Sequence, residues 1–214
     1  SRIVGGDVNG WKQLSLGLEY SYWKIRIITK QWRLDQRRNK NARITLESPT
    51  LLLALSMSLN CSVTTDWLGL ALDESRTNGM FGHWSTPAFP SYVLQLYHIY
   101  KNGTIDDNIC VPHPYDQIFI KWTNTEGLRD AISDICNYHV RNSIDNSDDH
   151  IAEFSLGPYG VIPVDVMALR NVRSKHNLET KLPNHILLNP VFFCESAIFI
   201  ENNSTKIKCI EKYG

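Results

Sequence analysis

Apolar residues recur at steps of three and four along most of this chain, the spacing that stacks side chains on one side of an α-helix. The first run, Leu14, Leu18, Tyr22, Ile25 and Ile28/Trp32, predicts a helix from Leu14 to about Arg38. Its last turns carry Lys30, Arg33, Arg37 and Arg38, cations placed to oppose the negative end of the helix dipole. Ser48-Pro49 predicts a second helix, with Ser48 as N-cap and Pro49 at the first helical position, reaching about Asn60. That segment is apolar on nearly every face, which assigns it to the centre of the fold. Thr64 or Thr65 caps a third helix through Trp67, Leu68, Leu70, Ala71 and Leu72, stopped at Asn78-Gly79. Pro90-Ser91 opens a fourth through Tyr92, Leu96, Ile99 and Tyr100, stopped at Asn102-Gly103.

The second half repeats the pattern. Tyr115 to Trp122 reads as a short helical element. Thr125 caps a helix to about Asn142, with Leu128, Ala131, Ile132, Ile135 and Cys136 facing inward. Gly157-Pro158-Tyr159-Gly160 is a turn, and Pro163 starts a helix from Val164 to about His176. Residues 1–13, with three glycines between Ile3 and Gly10, read as irregular. Beyond Pro190, Phe192–Ile200 and Lys206–Ile210 flank Glu201-Asn202-Asn203-Ser204 and fit a short terminal β-hairpin, with a helix over Phe192 to Phe199 as the alternative. The expectation is a mainly α fold: one domain over residues 1–214, built as a single antiparallel helical array.

Charge changes this picture in one respect. The 22 Lys and Arg balance the 22 Asp and Glu over the whole chain. Residues 1–43, however, hold ten Lys and Arg against three Asp and Glu, a net of +7, and residues 44–214 hold twelve against nineteen, a net of −7. The two parts attract each other within one fold, or the acidic part faces a basic partner. No run of about 18 apolar residues occurs, so no membrane span and no membrane partner are expected. Five scattered cysteines without a C-x-x-C fit reduced thiols and a cytoplasmic protein.

Candidate chemistry is sparse. None of the seven histidines makes a His/Glu pair at helical metal-site spacing, and no Gly-x-Ser-x-Gly elbow is present, so no cofactor and no metal are expected. Cys136 and His139 lie one helical turn apart. The enzyme alternative is a metal-dependent hydrolase or nuclease using Asp/Glu with His139, His150 or His185. A nucleic-acid-binding regulator would use Lys30, Arg33, Arg37, Arg38, Lys40 and Arg43, but a broader basic surface than one helix end is expected for that task. Binding candidates are the acidic connection Asp145, Asp148, Asp149 and Glu153, the pair Asp106 and Asp107, and the aromatic loop Phe81, Trp84 and Phe89, either a lid over the core or exposed anchors.

Tyr115 to Pro190 carries a further pattern: Trp122 before a helix ending Tyr138-His139, the acidic loop leading to Phe154, Ile162-Pro163-Val164-Asp165 opening a helix with Ala168-Leu169-Arg170-Asn171-Val172-Arg173, and His185-Ile186-Leu187-Leu188-Asn189-Pro190. The segment resembles the C-terminal part of bacterial helical immunity proteins, the cytosolic partners of polymorphic toxins and secretion-system effectors. In such families the helix start often reads Phe-Pro-x-Glu; here the proline and the acid are kept. The resemblance covers about a third of the chain. It implies an α-helical fold, a cytoplasmic location, no catalysis, and a cognate protein toxin or effector as partner. Residues 1–60 carry none of it.

Overall fold

The computed structural model describes residues 8–34, 45–81, 88–143, 152–154 and 157–188. Within them the chain forms seven α-helices: α1 (Val8–Leu34), α2 (Glu47–Ser58), α3 (Ser62–Asn78), α4 (Ala88–Asn102), α5 (Asp116–Ile120), α6 (Thr125–Arg141) and α7 (Val164–Lys175). Two single 3-10 turns, Gly157–Gly160 and Ile186–Leu188, complete the described elements, and no strand occurs among them. The hairpin expected in residues 191–214 lies outside the described residues.

The helices stand where the apolar periodicity predicts them, but several boundaries move. α1 begins at Val8, so residues 8–13 are helical rather than irregular. Trp11 is buried and gives that first turn a core contact that outweighs Gly10. α2 starts at Glu47 behind Leu46, which places Pro49 at the third helical position, still among the groups with no intrahelical N–H partner. Thr50 instead closes that end, its hydroxyl and N–H both donating to the Leu46 carbonyl. α3 starts at Ser62, ahead of Thr64. It ends as expected on Gly79, whose φ of 68° is a left-handed conformation that a glycine adopts without strain. α4 begins at Ala88, two residues before Pro90. The cap of α6 is Asn124, whose side chain accepts from the Gly127 N–H at 3.0 Å.

α2 is the centre of the fold. Its residues from Pro49 to Ser58 are all buried, and it packs against α7, α3, α4 and α1. Its buried polar side chains, Thr50, Ser56 and Ser58, are satisfied locally, by Thr65 of α3 or across the α7 contact. The Ser58 hydroxyl donates to the Ala54 carbonyl at 2.8 Å and approaches the Val164 carbonyl at 3.2 Å. The Asn171 amide of α7 donates to the carbonyls of Met57 and Ser58. One apolar cluster takes residues from every α-helix, from Trp11 to Leu188. α3 and α4 approach closely at Gly69, where an added Cβ would lie 2.2 Å from the Tyr97 ring. Arg173 is buried in α7. Its guanidinium donates to the carbonyls of Trp122 and Glu179 and to the Thr180 hydroxyl, and it lies 5.2 Å from the Trp122 ring centre. It therefore ties α7 to the turn before α6 and to the chain that follows α7.

Candidate functional site

The chemically richest group in the fold is buried where α4, α6 and α7 meet. Hydrophobic periodicity carries His139 inward on the face of α6 that holds Leu128, Ala131, Ile132, Ile135 and Cys136. Asp165 enters from the first turn of α7. His139 and Asp165 are both 0% exposed, with Nδ1 of the histidine 3.1 Å from Oδ1 of the aspartate. His139 Nε2 lies 2.8 Å from the Tyr159 carbonyl, which only accepts, so Nε2 carries a hydrogen. The Nδ1–Oδ1 contact then holds one further hydrogen between the two side chains.

Asp165 has two more donors: the Tyr115 hydroxyl at 3.1 Å and the Val166 N–H at 2.9 Å. Tyr92 donates to the Asp165 main-chain carbonyl at 3.0 Å and stacks on Tyr115 with ring centres 4.3 Å apart. Phe154 stacks on the imidazole at 3.8 Å and meets Phe89 edge-on. Burial, reinforced by the Asp165 carboxylate, pushes both Tyr92 and Tyr115 phenols well above their ordinary range, which keeps them as donors. Every polar atom of this group is spent on a neighbour inside the protein. With no exposed surface, it cannot touch a substrate in this state. It acts as a polar strut that fixes α7 against α6 and α4.

The binding candidates read from the sequence fall into three sets. Phe81 and Phe89 are core residues, each about 1% exposed; Phe89 packs on Phe154 and Tyr115. They are not exposed anchors, because the start of α4 draws Phe89 into the aromatic cluster and Gly79 turns the chain so that Phe81 goes inward. Glu153 is also turned in. Its carboxylate accepts from Tyr138 at 2.9 Å and from the Phe89 N–H, and burial raises it above the ordinary carboxylate range. It therefore does not project from an acidic loop. Asp106 is half-buried, accepting from the Asn108 N–H at 2.9 Å and the Asn108 amide at 2.8 Å, and these bonds hold its carboxyl below the ordinary range. It also lies 3.3 Å from His98. Asp107 beside it is exposed. Asp145, Asp148, Asp149 and Trp84 lie outside the described residues, as do His150, Arg37, Arg38, Lys40 and Arg43.

The other sequence candidates disperse. His139 bonds to Asp165 and Tyr159 rather than to Cys136, and burial pushes the Cys136 thiol far up, away from reactivity. His185 contacts Asn137 at 3.2 Å. Among the described residues no group of three or more His, Cys, Asp or Glu side chains is arranged to hold a metal ion. Arg33 is paired with Glu74, and Arg26 lies over the Trp23 ring at 4.7 Å and the Trp67 ring at 5.7 Å, so two cations of α1 serve the α1–α3 contact.

One feature escapes a reading of the inward stripe alone. Leu16, Tyr20, Ile27 and Leu34 of α1 are 56%, 85%, 56% and 78% exposed. They lie on the side of α1 away from Leu18, Tyr22, Ile25 and Thr29, which are buried. The signal was available in the spacing, since Tyr20, Ile27 and Leu34 recur at steps of seven.

No protein-family model, curated protein or solved structure matches the chain.

Proposed function

We propose that the protein is a non-catalytic immunity protein that binds a cognate bacterial toxin or effector and neutralises it. The observation that carries this reading is the complete burial of the His139–Asp165–Tyr115 group. Among the described residues, the group best equipped for acid–base work holds helices together and reaches no solvent. What such a protein offers a partner is surface. The pattern from Trp122 to Pro190 that resembles helical immunity proteins adds the class of partner. On this reading the acidic connections, Asp106–Asp107 and Asp145–Asp149, steer a basic toxin by charge, while Glu153 serves the fold.

The test is co-expression with the toxin encoded beside this chain, scoring rescue of growth, followed by co-purification of a complex. Rescue should survive Asp165→Asn, because binding needs the fold and not the carboxylate. A folded Asp165→Asn protein that no longer rescues, or a purified protein that turns over toxin or nucleic acid, would overturn the proposal in favour of a hydrolase.

A further inference from the structure

We infer that the outward side of α1 docks on an anionic lipid surface, a property separate from toxin binding. Eleven large hydrophobic side chains are well exposed among the described residues, and four of them, Leu16, Tyr20, Ile27 and Leu34, form one stripe on α1. At 1.5 Å per residue the stripe runs about 27 Å along the helix. Two more, Val63 and Leu70, belong to α3, which lies against α1 through Tyr22–Trp67 and Arg33–Glu74. More than half of the exposed apolar side chains therefore lie on one pair of neighbouring helices.

α1 has two apolar sides. Trp11, Leu18, Tyr22 and Ile25 face the core, and the outward stripe stands on the opposite side. Packing accounts for the first, and among the described residues nothing buries the second. The flanks of the stripe specify the chemistry of what covers it. Lys12, Lys24 and Lys30 are exposed beside it, while Arg26 and Arg33, the other two cations of α1, are engaged with α3 and Glu19 is the helix's one acid. Glu19 is half-buried on the α3 side and close enough to Cys61 to raise its thiol.

A second copy of the same helix is disfavoured by this charge. The a and d positions of the seven-residue spacing would be Leu16, Tyr20, Trp23, Ile27, Lys30 and Leu34, which puts Lys30 in the seam between two helices of like sign. An anionic bilayer reverses that sign. Apolar side chains enter the boundary between headgroups and acyl chains, Tyr20 keeps its hydroxyl at the headgroups, and lysines on both flanks meet phosphates. No described helix is long and apolar enough to cross a membrane, so the contact lies on the surface.

The experiment is flotation of the full chain with vesicles of phosphatidylcholine alone or with about 30 mol% phosphatidylglycerol. The protein should float with the anionic vesicles and not with the neutral ones, and raising salt from about 0.1 M to about 0.5 M should release it. Leu16→Glu with Ile27→Glu, and separately Lys12→Glu with Lys24→Glu, should each reduce bound protein on the order of tenfold. These side chains are exposed, so circular dichroism should be unchanged. Wild-type protein that stays soluble with anionic vesicles would overturn the inference. So would flotation that persists in the Leu16→Glu/Ile27→Glu protein, or a dimer by light scattering that this pair of changes dissociates, which would make a second copy the occupant.

Discussion

Asp165→Ala separates a polar strut from a merely tolerated buried acid. The substitution removes the acceptor for Tyr115 at 3.1 Å and for the Val166 N–H at 2.9 Å, and it removes the partner of His139 Nδ1 at 3.1 Å. Each buried polar group left without a partner costs about 1–3 kcal/mol, and the three costs overlap because one carboxylate serves them all. Breaking a buried His–Asp contact on one side falls in the same range, about 3–5 kcal/mol. We expect a loss of about 4 kcal/mol, a large share of the roughly 5–15 kcal/mol that holds such a domain together. In urea, with a slope of about 2–3 kcal/mol per molar, the midpoint should fall by about 1.5 M. Asp165→Asn is the control. The Val166 N–H and His139 Nδ1 both meet Oδ1 while the Tyr115 hydroxyl meets Oδ2, so the amide keeps Tyr115 and one of the other two and leaves one contact unmade. That variant should lose about 2 kcal/mol, the cost of one unmade buried contact and about half the alanine loss. Equal losses in the two variants, or a loss under about 1 kcal/mol for alanine, would refute the strut.

Gly69→Ala should destabilise although alanine is the better helix former. Its Cβ would lie 2.2 Å from the buried Tyr97 ring, so the ring or the two helices must shift; we expect a net loss of about 2 kcal/mol, read as a lowered melting temperature, and a raised one would contradict the close approach. Glu153 sets a pH dependence. Burial raises its folded-state pKa above the ordinary carboxylate value, so its stabilising contribution is fully present below that ordinary value and is lost as pH rises through the folded pKa. The cost of Glu153→Gln, measured by urea unfolding, should therefore shrink from about pH 4 to about pH 7, and a cost that grows over that interval would show the carboxylate to be favoured by the fold.

The helices were legible because each buries one stripe against the core, and that stripe sets a 3.6-residue period in the sequence. α2 was legible for the opposite reason: Leu51 to Met57 leave no polar side, which only a central position explains. The boundaries were less so. Ser48 and Thr125 look like caps, but the bonds that close these ends come from Thr50 and Asn124, one by bonding back to Leu46 and the other by reaching Gly127. The start of α1 was hidden by its glycines, since the gain from burying Trp11 is tertiary and has no local mark. The same limit governs the site. His139 was readable as a satisfied core histidine, but its partner Asp165 lies 26 residues away, and nothing in the spacing pairs them. Phe81 and Phe89 misled because a loop rich in Gly, Ser and Pro suggests exposure, whereas both ends of that segment are drawn into the aromatic cluster and the core. The outward apolar residues of α1 stand opposite the inward stripe and never form an unbroken run, so neither the core period nor a membrane-span length marks them.

The burial of α2 on all sides also bears on how this protein can change over time. A helix with a free side drifts on that side while its packed residues stay. α2 has no such side: Thr50, Ser56 and Ser58 are tied to carbonyls, and the residues between them touch four neighbouring helices. Any replacement there is felt by two or more partners at once, so viable histories pass through paired substitutions or none. The outward residues of α1 and α6 have fewer such ties, single contacts such as Arg33 with Glu74 and Asn137 with His185. New partners are therefore acquired at the rim of this fold, around a centre that scarcely moves.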